Sequence, residues 1–161
     1  MSDTIREIII KDFMTRLAVI TIANGYRTGI GANVLRARKK VDPDEVPGTV
    51  LFPGTEKSVQ QYGTMKCTMT IRIEGLALFG AENPSVVSER ILGDLKKCIL
   101  APANLLTSPV SGWVRTPDYI DGLIYTEGGT EEYPEDGQTT AAAFAGFEVS
   151  YTTKINDPYS Q

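Results

Sequence analysis

Imidazole does most acid–base work at neutral pH, and this 161-residue chain has no histidine. That absence removes Ser-His and Cys-His nucleophilic pairs and histidine metal sites together. Two cysteines, Cys67 and Cys98, are too few for a four-thiolate zinc site or a disulfide framework. Both fall on apolar faces and read as buried free thiols, placed where they could be neighbours at a helix–sheet contact. What remains is carboxylate chemistry. Glu74 and Glu148 lie on the polar faces of two long strand-like runs. Side by side, their like charges raise one pKa and make a general acid. Arg72, two residues from Glu74, favours ordinary ion-paired surface glutamates instead, and the chain is not read as an enzyme.

Ligand motifs are equally sparse, and no cofactor or metal is expected. Gly25, Gly29 and Gly31 lack the Gly-Lys-Ser/Thr ending of a phosphate-binding loop and do not lead into a helix. Asp42, Asp44 and Glu45 are not followed by calcium-loop spacing, so they read as a solvated loop. Arg36, Arg38, Lys39 and Lys40 form a small basic cluster, but no aromatics interleave it and the whole chain carries a net charge of −4. Nucleic-acid binding needs a basic stripe with stacking aromatics, so sequence-specific recognition is not expected.

The elements that must position these residues centre on 64–79, TMKCTMTIRIEGLALF. Met65, Cys67, Met69, Ile71 and Ile73 alternate with Lys66, Thr68, Thr70, Arg72 and Glu74, the period of a strand with one wet face. At about 3.3 Å per residue it runs about 45–50 Å, beyond the usual strand length of about 17–20 Å. A strand that long outreaches the core of a small domain and can seek another chain. Leu76 and Leu78 break the parity, which predicts a bulge at Gly75 or burial of both faces beyond it.

Upstream, Ile5, Ile8, Ile9, Phe13, Leu17 and Ile20 make an apolar stripe at helical spacing. The predicted helix is capped by Ser2 or Asp3, runs to about Ile22 and ends at Gly25, with Arg6, Glu7, Lys11 and Arg16 on its outer side. Strands are expected over 33–39 and 49–53, with 39–48 a charged loop and 54–63 a polar hairpin tip. Downstream, Asn83 caps and Pro84 opens a second helix. Val87, Ile91, Leu95, Cys98 and Ile99 form its buried seam, Glu89, Arg90, Asp94, Lys96 and Lys97 cover the exposed faces, and Pro102 stops it.

Residues 101–121, with three prolines and the single tryptophan, Trp113, form a loop too long for a plain connector. Trp113 either plugs that loop's own small core or contacts a partner. A strand over 119–125, an acidic turn over 126–138 and a last strand over 140–154 complete the chain, with 155–161 a tail. The small residues at 141–145 imply close packing against a helix or another chain.

The whole is read as one α+β domain over 1–161, a mixed, mostly antiparallel sheet of four to five strands packed by two helices, with long loops. No stretch has the length and apolarity of a membrane span or signal peptide, so synthesis in the cytoplasm is expected. Charge is uneven. Residues 1–100 hold 14 Lys and Arg against 11 Asp and Glu, whereas residues 101–161 hold 2 against 9. Mapped to separate surfaces, that asymmetry favours head-to-tail association of copies, the alternative being an acidic solvated loop.

The order of elements, the first helix closed by NGYRTGIGANVLRAR, the PSVVSERILGDLKKCIL helix after IRIEGLALF, and the closing FEVSYTTKINDPY carry a family likeness. Together they resemble the tail terminator (tail completion) proteins of tailed bacteriophages, similar in kind to the minor tail protein U family, over residues 5–158. The resemblance implies a hexameric ring of identical copies on the head-proximal end of the tail tube in the virion. It also implies contact with the tail tube protein, the head–tail connector or neck protein and, in a contractile tail, the sheath. Arg36, Arg38, Lys39 and Lys40 are candidates for acidic partner surfaces and the acidic turn, with Glu131 and Glu132, for basic ones. Arg72, Glu74, Trp113 and Glu148 complete the interface candidates. Another head–tail joining component, a stopper or neck protein, and a small carboxylate-dependent hydrolase are the alternatives.

Overall fold

A computed structural model describes residues 2–100 and 120–161 of the chain, so Trp113, Pro102 and nearly all of the long loop lie outside the described residues. Among the described residues, two helices cover one face of a five-stranded mixed sheet. The elements are α1 (Ile5–Leu17), β1 (Val34–Arg36), β2 (Gly48–Gln61), β3 (Thr64–Leu78), α2 (Pro84–Ile99), β4 (Gly122–Gly129) and β5 (Thr140–Lys154). Their order across the sheet is β1-β2-β3-β5-β4. Only β1 and β2 run parallel; the other three pairs are antiparallel. This is the α+β class and strand number that the hydrophobic periods predict.

The strand β3 pairs along its whole length with β5, from Thr64 opposite Lys154 to Leu78 opposite Thr140, without interruption. No bulge forms at Gly75. The inward face continues through Gly75 and Ala77, leaving Leu76 half-buried and Leu78 exposed on the other face. The glycine is there for α2. A Cβ at position 75 collides with the Ile91 side chain, so its absence lets the helix settle on the strand. Ala141, Ala143 and Ala145 of β5 are buried on the same face, as the run of small residues implies. Ile91, Leu95, Cys98 and Ile99 from α2 join Ile5, Ile9, Phe13 and Leu17 from α1 over Leu51, Met69, Ile71, Ile73, Phe147 and Val149 in a single core.

Local chemistry moves several boundaries. Thr4, not Ser2 or Asp3, caps α1 by accepting the Glu7 amide hydrogen bond. The helix stops at Leu17, and Gly25, at φ +84°, closes a separate 3-10 turn over Ile22–Asn24. The first strand keeps only three residues because Ala37 turns away at φ +52°. In contrast, β2 continues to Gln61, well beyond Pro53, so the polar stretch expected as a loop is strand and only Tyr62 and Gly63 turn the hairpin. The fourth strand is shifted to Gly122–Gly129. The second helix begins as expected, Asn83 accepting the Ser85 amide hydrogen bond and Pro84 in first position.

Candidate interaction surface

Past Pro53, β2 leaves the rest of the fold. Its pairing with β1 covers only Thr49 to Leu51. A register shift between Pro53 and Glu56 then re-aims the strand, and it runs to Gln61 paired, among the described residues, with β3 alone. All of residues 54–61 are exposed, and Tyr62 at the turn is fully so. At about 3.3 Å per residue this arm presents about 26 Å of strand edge. Its inward residues Glu56, Ser58 and Gln60 stand opposite Met69, Cys67 and Met65, and its outward residues Lys57, Val59 and Gln61 opposite Thr68, Lys66 and Thr64.

The arm is held at both ends. Arg6 on α1 donates to the Gly54 carbonyl at 2.6 Å and lies 3.5 Å from the Glu56 carboxylate, which also accepts from the Tyr151 hydroxyl. At the turn, the Gly63 carbonyl accepts from the Ile155 amide at 3.1 Å, and the Pro158 carbonyl accepts from Ile5 at 2.9 Å. The tail therefore ties the hairpin turn to the start of α1. Within the tail, the Ser160 hydroxyl and the Tyr159 amide hold the Asp157 carboxyl below its ordinary pKa.

The basic cluster is largely answered within the chain. Arg36 grips Glu7 with two bonds of 2.7 and 2.8 Å, and Glu7 is pushed below its usual pKa chiefly by that contact. Arg38 reaches Glu45 at 2.6 Å and Asp42 at 3.4 Å. Glu45 also accepts from the Asp42 amide at 3.0 Å, part of a capping box on a short 3-10 turn over Pro43–Glu45. Lys39 and Lys40 are exposed and make no ion pair among the described residues.

Glu74 and Glu148 do not come together. Glu148 stands opposite Thr70, four residues from Glu74, which is about 13 Å along the strand. Glu74 instead receives Arg72 at 3.2 Å. Arg72 is the hub of the outward face. It also bonds Glu131 at 2.8 Å and lies 3.9 Å over the Phe144 ring. The acidic turn therefore folds back over the outward sheet face, where Glu131 and Glu132 border a cleft of about 180 Å³ floored by Ala142 and Phe144.

Two buried ionic groups depart from the expected outer faces. Asp94 is 2% exposed and accepts from the Arg27 and Thr28 amides at 3.0 and 2.7 Å and from the Thr28 hydroxyl at 2.7 Å, pinning the segment after Gly25 onto α2. Arg16 is 1% exposed, donates to the Cys98 carbonyl, and has its pKa lowered by burial. The Cys98 thiol in turn donates to the Arg16 carbonyl at 3.3 Å, and burial pushes its pKa up to about 11. Cys67 instead meets the Ser58 hydroxyl, at 3.4 Å. Both cysteines are free and buried. Spacing could have flagged the buried charges. Asp94 falls three residues after Ile91 and four before Cys98, and Arg16 three after Phe13 and four before Ile20, inside the apolar stripes.

Among the described residues no group of three or more carboxylates or thiols is arranged to hold a metal, and no helix is long and apolar enough to cross a membrane. What the geometry offers among the described residues is a surface for association: a strand edge without a strand neighbour, an exposed turn aromatic and a charged outward face. No protein-family model and no curated protein matches the chain.

Proposed function

We propose that this chain is a structural virion protein with no catalytic role, one copy of a six-membered ring that caps the head-proximal end of a phage tail tube. The observation that carries the reading is the arm of β2. Residues 54–61 have backbone donors and acceptors along one edge with no strand neighbour among the described residues. A lone strand edge of this length is a template for another chain, and soluble proteins usually shorten, charge or cover it. Here the protection is partial: Lys57, the inward Glu56 beside Arg6 and the register shift before it leave the outward Val59 62% exposed. When such an arm meets a different surface of its neighbour the contact is heterologous, and heterologous contacts close into rings when the rotation permits. The family likeness of the element order supplies the tube and the connector as the two bodies the ring faces meet. One ring face copies the tube's docking surface and the other does not, so growth ends there.

Native mass measurement and negative-stain imaging of the purified protein, alone and with polymerising tail tube protein, test this reading. Six-fold rings and arrested tube growth are expected. A chain that stays monomeric in both conditions and leaves tube growth unchanged contradicts it. Binding to the connector without arrest of the tube identifies a stopper or neck component instead.

A further inference from the structure

The outward face of the long strands carries opposite charge at its two ends. On the hairpin that β2 and β3 form about Tyr62, the outward residues are Lys57, Val59 and Gln61, opposite Thr68, Lys66 and Thr64. Lys57 and Lys66 are exposed and make no ion pair among the described residues. The hairpin's carboxylate, Glu56, faces inward, 3.5 Å from Arg6. Two carboxylates off the hairpin are engaged locally, Asp121 with the Thr152 hydroxyl and Asp157, beside Lys154, with Ser160 and Tyr159. Tyr62 is wholly exposed at the tip, and Val59 is 62% exposed behind it.

At the other end of the same face, an open groove of about 400 Å³ runs between the acidic turn and the start of β5. Leu76, Tyr133, Pro134 and Ala142 give it an apolar lining, Gln138 a polar edge, and Glu132 is the one charged residue that borders it among the described residues. Glu132, Glu135 and Asp136 are exposed and make no ion pair among the described residues. Arg72, bordering the adjoining cleft, is already held by Glu74 and Glu131. Leu78, the next outward residue of β3, is 59% exposed. Leu76 lies twelve positions along β3 from Thr64, about 40 Å, so a hairpin cannot reach the groove of its own chain.

We infer that the hairpin tip of one copy docks in this groove of the next. Tyr62 enters the groove beside Tyr133 and Pro134, Val59 covers Leu78, and Lys57 and Lys66 meet Glu132, Glu135 and Asp136. Charge selects this occupant, because the outward side of the hairpin bears cations alone and the rim of the groove bears carboxylates alone. Shape agrees with charge. An aromatic anchor in an apolar pocket with a charged rim is the usual form of an interface hot spot, and the groove has the volume of a small-ligand site, about 300–1,000 Å³, room for one tyrosine ring. Tip and groove are different surfaces, so the contact is heterologous. The inference rests on the ring reading for the role of the arm, and it names the surface that the arm meets.

Cross-linking between two full-length variants of different mass tests it. Gln61→Cys is placed in one and Thr140→Cys in the other, and the mixture is treated with a short bis-maleimide; the buried Cys67 and Cys98 make the wild type the blank. A product joining the two variants is expected, and none within either variant alone. Lys57→Glu with Lys66→Glu, and separately Glu132→Lys with Glu135→Lys, should each weaken self-association about tenfold in sedimentation velocity. Mixing these two should restore it, since a reversed hairpin then faces a reversed groove and a native hairpin a native groove. Tyr62→Ala should also weaken association about tenfold while leaving the urea midpoint unchanged, because its side chain is wholly exposed. Rings that give no mixed product, or charge-reversed variants that mixing does not restore, overturn the inference and leave the ring reading intact. A product between two Gln61→Cys chains assigns arm-to-arm pairing and overturns it as well. The mixed product in chains that never close into six upholds the groove and sinks only the ring, whereas a wild type that never self-associates sinks both.

Discussion

The same two strands, β2 and β3, behave differently at their two ends. Over Gly48 to Pro53 and Ile71 to Leu76 the pair is covered by helix, β3 beneath α2 and β2 beneath α1, and is bordered by β1 and β5, with Leu51, Ile71 and Ile73 shut off from water. Over residues 54–61, β2 is exposed, meets the rest of the fold through Arg6, Tyr151 and Cys67, and has no strand on its outer edge among the described residues. Backbone pairing between the two strands continues through both regions, so ladder hydrogen bonds do not explain the difference. Burial does. Covered strand is fixed by packing, and the arm is fixed mainly by its ends, at Arg6 and at Ile155. A region that contributes little to its own fold's stability is free to be specified by what it binds.

Mutations at the two ends should therefore separate stability from assembly. The largest loss of stability is expected under the helix: Ile91→Ala empties the space over Gly75 and should cost about 2–5 kcal/mol by urea denaturation. Asp94→Ala comes next. It leaves the Arg27 and Thr28 donors without their acceptor and should cost about 1–3 kcal/mol, with the segment after Gly25 becoming more accessible to protease.

In the arm, Val59→Lys should change stability by no more than about 0.5 kcal/mol. It should nonetheless weaken self-association in sedimentation velocity, as an added edge charge blocks strand pairing. If Val59→Lys unfolded the chain as Ile91→Ala does, the contrast between the two regions would be lost.

The smallest expected effect is electrostatic. Glu7 has its folded-state pKa depressed by Arg36, so the pair stabilises the fold above the unfolded carboxyl pKa and loses its contribution as pH falls through the depressed value. Glu7→Gln should thus cost under about 1 kcal/mol at pH 7, less in high salt because the pair is partly exposed, and progressively less as pH falls through the depressed value.

Much of this architecture is legible in the chain. Period-two alternation marks β3 and β5 almost to the residue, and Asn83-Pro84 marks the start of α2. The arm was hidden because residues 54–61 show neither alternation nor burial, and a strand exposed on both faces leaves no hydrophobic period to read. The parity break at Leu76 misled in the opposite direction. Hydropathy records which residues are apolar, not which side a helix covers, and Leu78 remains exposed on the outward face. Asp94 and Arg16 show the converse, polar types inside buried stripes, since charge type outweighed spacing in assigning them to the surface. The pairing of Arg72 with Glu131 joins residues far apart in sequence, and no local pattern encodes it.

Amide hydrogen exchange followed residue by residue, in the free chain and in the assembled state, addresses the role of the arm most directly. The account predicts that outer-edge amides of residues 54–61 exchange fast in the free chain and become strongly protected on assembly, while Ile71 and Ile73 are slow in both. Equal exchange of the arm in both states, with assembly demonstrated, would contradict it.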